Sequence, residues 1–122
     1  MTKPVVYMAC PYSIGHVNQN VHDACMLWNA LRIEGVVIPI NPLWSHVQDT
    51  VRPIPYSAWL RYDLELIASG AVHAVLRCFP QVESKGADAE IEHAHRLGIP
   101  VFFAQRDLYE WAESRSAGAA TT

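Results

Sequence analysis

The sequence predicts an α/β fold of three layers, in which a parallel sheet of four to five strands lies between two layers of helices. Four short apolar runs alternate along the chain with segments that have helical spacing. Strands that alternate with helical crossovers form parallel sheets with right-handed connections. The chain has 122 residues, which is enough for one domain with its own core and too few for two.

The first half of the chain contains two predicted strands and a helix between them. Residues 5–9 form a continuous apolar run that is typical of a buried strand. In residues 20–34 apolar side chains recur at helical spacing, and Gly35 follows as a C-cap. A second apolar run predicts a strand over residues 36–40.

Residues 43–55 are predicted to form a loop, because they contain Pro53 and Pro55 and show no regular period. A loop of about a dozen residues is often functional, and we consider it a candidate lid. The next helix is predicted over residues 57–68, with Ser57 as its N-cap.

The second half of the chain continues the alternation of strands and helices. Strands are predicted over residues 72–78 and 100–104, and helices over residues 87–97 and 107–113. Residues 114–122 are small and polar, and we expect a flexible tail there. The single domain is therefore assigned to residues 1–113.

The simplest strand order is 2-1-3-4, as in Rossmann/flavodoxin-like sheets. In such sheets ligands bind at the carboxyl ends of the strands, at the point where the strand order reverses. This point lies between the first and third strands, where the loops of residues 10–14 and 79–86 meet. We therefore expect the functional site between these two loops.

Composition and charge exclude several classes of protein. The net charge is −3, which argues against a nucleic-acid polymer as a partner and favours a small anion. No apolar stretch reaches the roughly 18 residues of a membrane span, and the N-terminus lacks the organisation of a signal peptide. We therefore expect a cytoplasmic protein without a membrane partner.

The cysteines and histidines do not have the spacing of metal ligands. The three cysteines form no Cys-x-x-Cys pair, and the six histidines show no His-Glu-x-x-His spacing. We expect no metal, no cofactor and no disulfide framework, which fits a reducing compartment. Cys10 stands at a strand end, where a nucleophile could lie, but no base follows it nearby, so packing is the favoured interpretation.

The strongest local signal is the segment from Ser84 to Glu90, which opens a predicted helix. Free backbone N–H groups and the positive end of the helix dipole make such a turn an anion site. Gly86 allows a close approach, Ser84 supplies a hydroxyl, and Lys85 adds a positive charge. The alternative is that Gly86 only turns the chain and that Asp88 and Glu90 only complement the helix dipole.

Asp63 lies on an otherwise apolar helix face, which costs free energy unless the carboxylate is paired or lines a cleft. Two carboxylates that face one cleft, Asp63 and Glu90, suit glycosidic chemistry, in which one attacks the anomeric carbon and the other handles protons. The alternative is that Asp63 is a capping group or forms a salt bridge, with Arg61 or Arg77 as the partner.

Two tyrosines and two tryptophans complete the candidates. Tyr7, inside the first strand, is either a core residue or a hydrogen-bond partner of Glu90. Tyr12, in the first loop, is placed to stack on a base. Stacking on a base is the alternative for the tryptophans, but Trp28 and Trp59 have helical spacing and are assigned to the core.

The order and spacing of several motifs resemble the nucleoside 2-deoxyribosyltransferase superfamily, which includes deoxynucleoside 5′-monophosphate N-glycosidases. The similarity spans about residues 5–103. The similarity rests on five features: Tyr7 in the first strand, the Asn41-Pro42 strand end, the helix segment from Trp59 to Leu64, the turn from Ser84 to Glu90, and residues 94–101.

The resemblance implies that Glu90 is the nucleophile, that Asp63 assists at the ribose or base, and that Tyr7 orients Glu90. Members with a Ser at the position of Ser84 act on 5′-monophosphates, so the resemblance favours such a substrate. It also implies a homodimer or higher homo-oligomer that completes each site, with Ser114 as a candidate residue.

The same resemblance assigns substrate contacts to the turn and to the first loop. Monophosphate hydrolases of the family carry an Arg in the first loop, where this chain has the segment from Cys10 to Ser13. Lys85, or a residue of that loop such as Cys10 or Tyr12, is therefore expected to contact the substrate together with Ser84 and Gly86.

The function expected from the sequence is cleavage of the N-glycosidic bond of a nucleoside 5′-monophosphate or nucleoside, by hydrolysis or by transfer of the sugar. The alternative is a non-catalytic nucleotide-binding or sensing module on the same fold. A phosphoribohydrolase of the lysine-decarboxylase-like type is disfavoured, because its Gly-Gly-x-Gly-Thr turn is absent.

Overall fold

The computed structural model describes residues 2–120, with side chains described as far as Arg115. In chain order the elements are β1 (Val5–Ala9), α1 (Val17–Glu34), β2 (Ile38–Ile40), a 3₁₀ turn (Pro42–Trp44), α2 (Ser45–Val51), α3 (Tyr56–Ala68), β3 (Ala74–Arg77), α4 (Lys85–Arg96), β4 (Val101–Phe102) and α5 (Gln105–Ala120).

The four strands form one parallel sheet in the order β2-β1-β3-β4, which confirms the predicted fold class and strand order. Val6 of β1 is in register with Pro39 of β2 on one side and with Ala74 of β3 on the other. Val75 of β3 is in register with Val101 of β4. The strand order reverses between β1 and β3, as expected.

The two central strands separate two buried clusters. Because strand side chains alternate between the faces, Val6 and Met8 pack on one face, with Leu31 of α1 and Leu108 of α5. Residues on the other face pack with α3 and α4; they are Tyr7, Ala9 and Val75 of the sheet, Ile67 of α3, and Ala87 and Ala94 of α4. This alternation places the Tyr7 side chain on the α4 side of the sheet.

The predicted loop over residues 43–55 is wrong, because much of the segment is helical. The Asn41 side chain accepts a hydrogen bond from the Leu43 N–H at 3.0 Å and caps the 3₁₀ turn, which continues into α2. Helix α2 has no buried residue, so its sequence shows no apolar period that would have predicted it. Only about four residues, between α2 and α3, remain without regular structure.

The helix ends also differ from the predicted ones. Helix α1 begins three residues early, at Val17, and α3 begins at Tyr56 after Pro55 rather than with Ser57 as its N-cap. Helix α5 continues to Ala120, so it includes most of the segment expected to form a flexible tail. Residues 121 and 122 of the predicted tail lie outside the described residues.

Arg77, the last residue of β3, organises the loop between β3 and α4. Its side chain is buried and donates hydrogen bonds at 2.7 Å to the carbonyl oxygens of Cys78 and Val82. Its Nε lies 3.5 Å from Oδ1 of Asp88 in the first turn of α4. Within this loop Phe79 adopts a positive φ of 51°, a conformation that is uncommon without glycine. The loop is therefore held in one shape at the point where it leads into α4.

Among the described residues, no helix is both long enough and apolar enough to cross a lipid bilayer.

Replacement of Arg77 by Met should lower the free energy of unfolding by about 2–4 kcal/mol, because the buried loop carbonyls lose a charged donor. Urea denaturation measures this change. Arg106→Met is the control, because the Arg106 side chain is 88% exposed in its ion pair with Glu110, and its loss should cost at most about 0.5 kcal/mol. Equal losses in the two variants would contradict the organising role of Arg77.

Candidate functional site

One pocket lies at the carboxyl ends of β1 and β3, between the first loop, the 3₁₀ turn with α2, and the facing ends of α3 and α4. Its walls include Asp63 from α3 and Ser84, Gly86 and Glu90 from the start of α4. Gly86 and Glu90 are four residues apart, so they share one face of the helix. The structure therefore brings the candidate residues of two distant sequence segments to one place.

Glu90 is the most deeply buried acid of the pocket. Its side chain is only 4% exposed, and the hydroxyl of the fully buried Tyr7 donates a hydrogen bond to Glu90 Oε2. The contact joins the middle of β1 to the second turn of α4. It matches the orienting contact that the sequence suggested, and it rules out the interpretation that Glu90 only complements the helix dipole from the surface.

Asp63 reaches the same pocket from α3. Its Oδ1 atom is buried and has no hydrogen-bond partner among the described residues. Arg77 is engaged with the loop and with Asp88, and Arg61 is exposed, so neither arginine forms the salt bridge that was the alternative for Asp63. A buried, unpaired carboxylate oxygen is costly and is available to accept a hydrogen bond from a ligand.

Burial shifts the proton equilibria of both acids. It raises the pKa of Glu90 from 4.5 to about 8, and the neighbouring charge of Asp63 acts in the same direction. Burial also raises the pKa of Asp63, to about 6. Near neutral pH the pair therefore holds one proton between its two carboxyl groups. Burial and Glu90 raise the pKa of Tyr7 well above 10, so this tyrosine stays a neutral donor.

Ser84 is the N-cap of α4. Its Oγ accepts a hydrogen bond from the Ala87 N–H at 3.2 Å, and its carbonyl oxygen accepts one from the Asp88 N–H at 3.0 Å. These contacts leave the first two N–H groups of the helix, those of Lys85 and Gly86, open to a ligand. The Lys85 side chain is exposed and does not line the pocket, so of this residue only the backbone is near the site.

The opposite rim of the pocket consists of polar and aromatic groups. The Tyr12 hydroxyl and His46 Nδ1 form a hydrogen bond of 2.8 Å that links the first loop to α2. Trp59 Nε1 donates to Asp49 Oδ1 at 3.0 Å. Trp59 lines the pocket, so its assignment to the core was wrong, whereas Trp28 packs against the core as expected. Tyr12 and Trp59 supply aromatic surface against which a base can pack.

Cys10 lines the pocket but is not set up as a nucleophile. Its thiol lies beside Cys78 in the buried cluster on the α1 side of the sheet. The hydrogen bond with Cys78 and burial raise the pKa of Cys10 well above 9, which disfavours the reactive thiolate. Its contribution to the pocket is therefore one of shape.

Asp49 and Tyr56 are two of the pocket residues that were not identified from the sequence. Asp49 lies on α2, in the segment that was predicted to be a loop. Tyr56 is the first residue of α3, and its hydroxyl lies so close to Gly86 that a Cβ at that glycine would overlap it. Neither residue belongs to an apolar period, and the only local sign in the sequence is their position beside Pro53 and Pro55.

Among the described residues, no group of three or more His, Cys, Asp or Glu side chains is arranged to hold a metal ion.

Searches among protein-family models, curated proteins and solved structures find no match to this chain. The function therefore has to be inferred from the geometry of the pocket.

The stability of the protein should fall as the pH rises from about 5 to 8. The folded chain raises the pKa of Glu90 above the value of 4.5, so in this range the folded state binds more protons than the unfolded state. The slope has an upper limit of about 1.4 kcal/mol per pH unit for one proton. Urea denaturation at a series of pH values measures it.

Glu90→Gln removes this titration and should flatten the pH dependence between about pH 6 and 8, above the pKa of about 6 at which Asp63 titrates. Its amide oxygen still accepts the Tyr7 hydrogen bond. Glu92→Gln, at an exposed position on the same helix, is the control and should keep the slope of the unmodified protein. Identical slopes in the two variants would show that Glu90 does not carry the buried proton.

Proposed function

We propose that this protein cleaves the N-glycosidic bond of a nucleoside or nucleoside 5′-monophosphate, with Glu90 as nucleophile and Asp63 as the assisting acid. The observation that carries the proposal is the pair of acids in one buried pocket, with both pKa values raised by burial. Two carboxyl groups that share one proton provide a nucleophile and a proton donor at the same pH.

In the proposed reaction a carboxylate oxygen of Glu90 forms a bond to the anomeric carbon while the bond from this carbon to the base nitrogen breaks. The electron pair of the broken bond goes to the base, and Asp63 delivers the proton that neutralises it. Water then hydrolyses the glycosyl ester, or a second base takes the sugar. The proton of the resting pair lies on Glu90, whose pKa is the higher of the two. The proposed reaction therefore begins with transfer of that proton to Asp63, which leaves Glu90 as the carboxylate that attacks.

The surrounding groups support these roles. Tyr7 holds one oxygen of Glu90, which fixes the orientation of the carboxyl group toward the pocket. The aromatic side chains of Tyr12 and Trp59 line the other wall, where they can pack against the base. The first turn of α4, with Ser84 and Gly86, is the natural place for the 5′ end of the sugar.

A non-catalytic nucleotide-binding or sensing module is the alternative on the same fold. Such a module needs the turn at Ser84 and Gly86 but has no use for a buried Glu90 beside a half-buried Asp63. An uncompensated buried carboxyl group destabilises a protein, and strongly shifted pKa values cluster where chemistry occurs. The burial of Glu90 and the unpaired oxygen of Asp63 therefore favour an enzyme.

We extend the proposal to the compartment in which the protein works, which we take to be the cytoplasm. The three free cysteines suit its reducing conditions.

The proposal also includes a homodimer or higher homo-oligomer. Such an assembly would cover large apolar side chains that are exposed on the single chain, such as Ile33 at 85% and Val51 at 78%. Ser114 is exposed on α5 and is available to a neighbouring subunit.

Replacement of Glu90 by Gln should reduce base release at least about a thousandfold, because the amide cannot form the glycosyl ester. Chromatography of free base from a panel of ribo- and deoxyribonucleosides and their monophosphates measures the rate. Glu92→Gln, on the exposed side of the same helix, should keep full activity. If no member of the panel releases base but some raise the melting temperature, the protein is a binding module instead.

Replacement of Asp63 by Asn should slow base release by about 10²–10⁴-fold for an ordinary purine nucleoside, which needs a proton on its leaving base. A 7-methylpurine nucleoside already has a cationic leaving group, so Asp63→Asn should slow the release of its base much less. The ratio of the two rates isolates proton donation from damage to the fold. An equal loss for both substrates would assign Asp63 a role other than proton donor.

A further inference from the structure

The charges that line the pocket are of one sign. Three carboxyl groups face it, those of Asp49, Asp63 and Glu90, whereas none of the described residues that line it is Lys or Arg. The side chains of Arg77 and Lys85 are nearby in the chain, but the first is bonded to loop carbonyls and to Asp88, and the second is exposed outside the pocket.

Ionisation leaves the pocket negative at neutral pH. Hydrogen bonds from Trp59 and from the Ile54 N–H lower the pKa of Asp49, so this carboxylate stays charged. The pair of Asp63 and Glu90 keeps one proton and therefore carries one further negative charge. Two positive contributions oppose these charges: the start of α4, equivalent to about half a positive charge, and the buried Arg77. The charge of Arg77 lowers the pKa of Glu90, but it is itself paired with Asp88. A phosphate monoester, with a charge of about −1.5 to −2, meets net repulsion here.

Space beside the turn is also taken. The hydroxyl of Tyr56 lies against Gly86, at the place where a Cβ of that residue would be, on the side of the first turn of α4. Burial and the charges of Glu90 and Asp63 raise the pKa of Tyr56, so its hydroxyl remains a neutral donor. This hydroxyl has no hydrogen-bond partner in the described part of the chain. It is thus free to pair with a ligand oxygen.

We propose that Tyr56 is the specificity-determining residue of this pocket: its hydroxyl takes the room beside Gly86 that a 5′-phosphate needs, and it pairs with an uncharged 5′-hydroxyl instead. The inference rests on the proposed function and narrows its substrate class to free nucleosides. It departs from the 5′-monophosphate that the serine at position 84 favoured, because Ser84 Oγ is engaged in capping α4.

The test compares kcat/KM for a nucleoside with kcat/KM for its own 5′-monophosphate, measured on the same sample. The ratio does not change if part of a variant is unfolded. The unmodified protein should prefer the nucleoside by at least about tenfold, the equivalent of 1.4 kcal/mol. Added salt should raise kcat/KM for the monophosphate and leave that for the nucleoside nearly constant, because salt screens the repulsion.

Tyr56→Ala should lower the preference at least fivefold, because it opens the space beside Gly86 and removes the donor to the 5′-hydroxyl. Tyr56→Phe keeps the ring and should lower kcat/KM for the nucleoside more than that for the monophosphate. Tyr62→Ala is the matched control: Tyr62 is on the same helix and is 56% exposed, against 52% for Tyr56, but it does not line the pocket.

Preference of the unmodified protein for monophosphates, or an unchanged ratio in Tyr56→Ala, would overturn the role of Tyr56 while leaving glycosidic cleavage intact. Absence of base release from every substrate would overturn the proposed function itself. In that case calorimetric titration with the same nucleoside and monophosphate decides the preference: tighter binding of the monophosphate overturns the inference, and tighter binding of the nucleoside that is lost in Tyr56→Ala supports it.

Discussion

The pocket depends on the hydrogen bond between Tyr7 and Glu90. A carboxyl group that is almost completely buried requires a partner, and Tyr7 of β1 supplies one. Tyr7 is in the right position because alternate residues of β1 face opposite sides of the sheet: Val6 and Met8 face α1, and Tyr7 faces α4. A register shift of one residue in β1 would turn the tyrosine away and leave the acid unpaired.

The second constraint is the shape of the loop that precedes α4. Arg77 donates hydrogen bonds to the carbonyl oxygens of this loop and forms an ion pair with Asp88 on the helix. In this way a buried positive charge determines where the N-terminus of α4 begins and where Gly86 and Glu90 point. The same interactions withdraw the arginine from the pocket. The charge that stabilises the architecture is thus not available to a ligand, and the pocket keeps its negative character.

The rim formed by α2 shows why a segment without an apolar period still has a defined structure. Asp49 accepts hydrogen bonds from the Ile54 N–H and from Trp59, and His46 is bonded to Tyr12. These polar contacts join α2 to α3 and to the first loop. Together they bring an acid and two aromatic side chains to the wall opposite Glu90. Selectivity for the ligand can therefore arise in a part of the chain that has little core of its own.

The amino-acid sequence by itself determined the α/β class, the strand order, and the approach of Asp63 and Glu90, because apolar periodicity and the rules for parallel sheets act on local patterns and simple topology. Only the tertiary structure decided that Lys85 points out of the pocket, that Trp59 lines it, and that Asp49 and Tyr56 belong to it. Side-chain directions at helix ends and hydrogen bonds between distant segments leave no periodic signal in a single sequence. The charge of the pocket determines which ligand it prefers. It depends on which charged side chains face the pocket, and folding alone brings those side chains together.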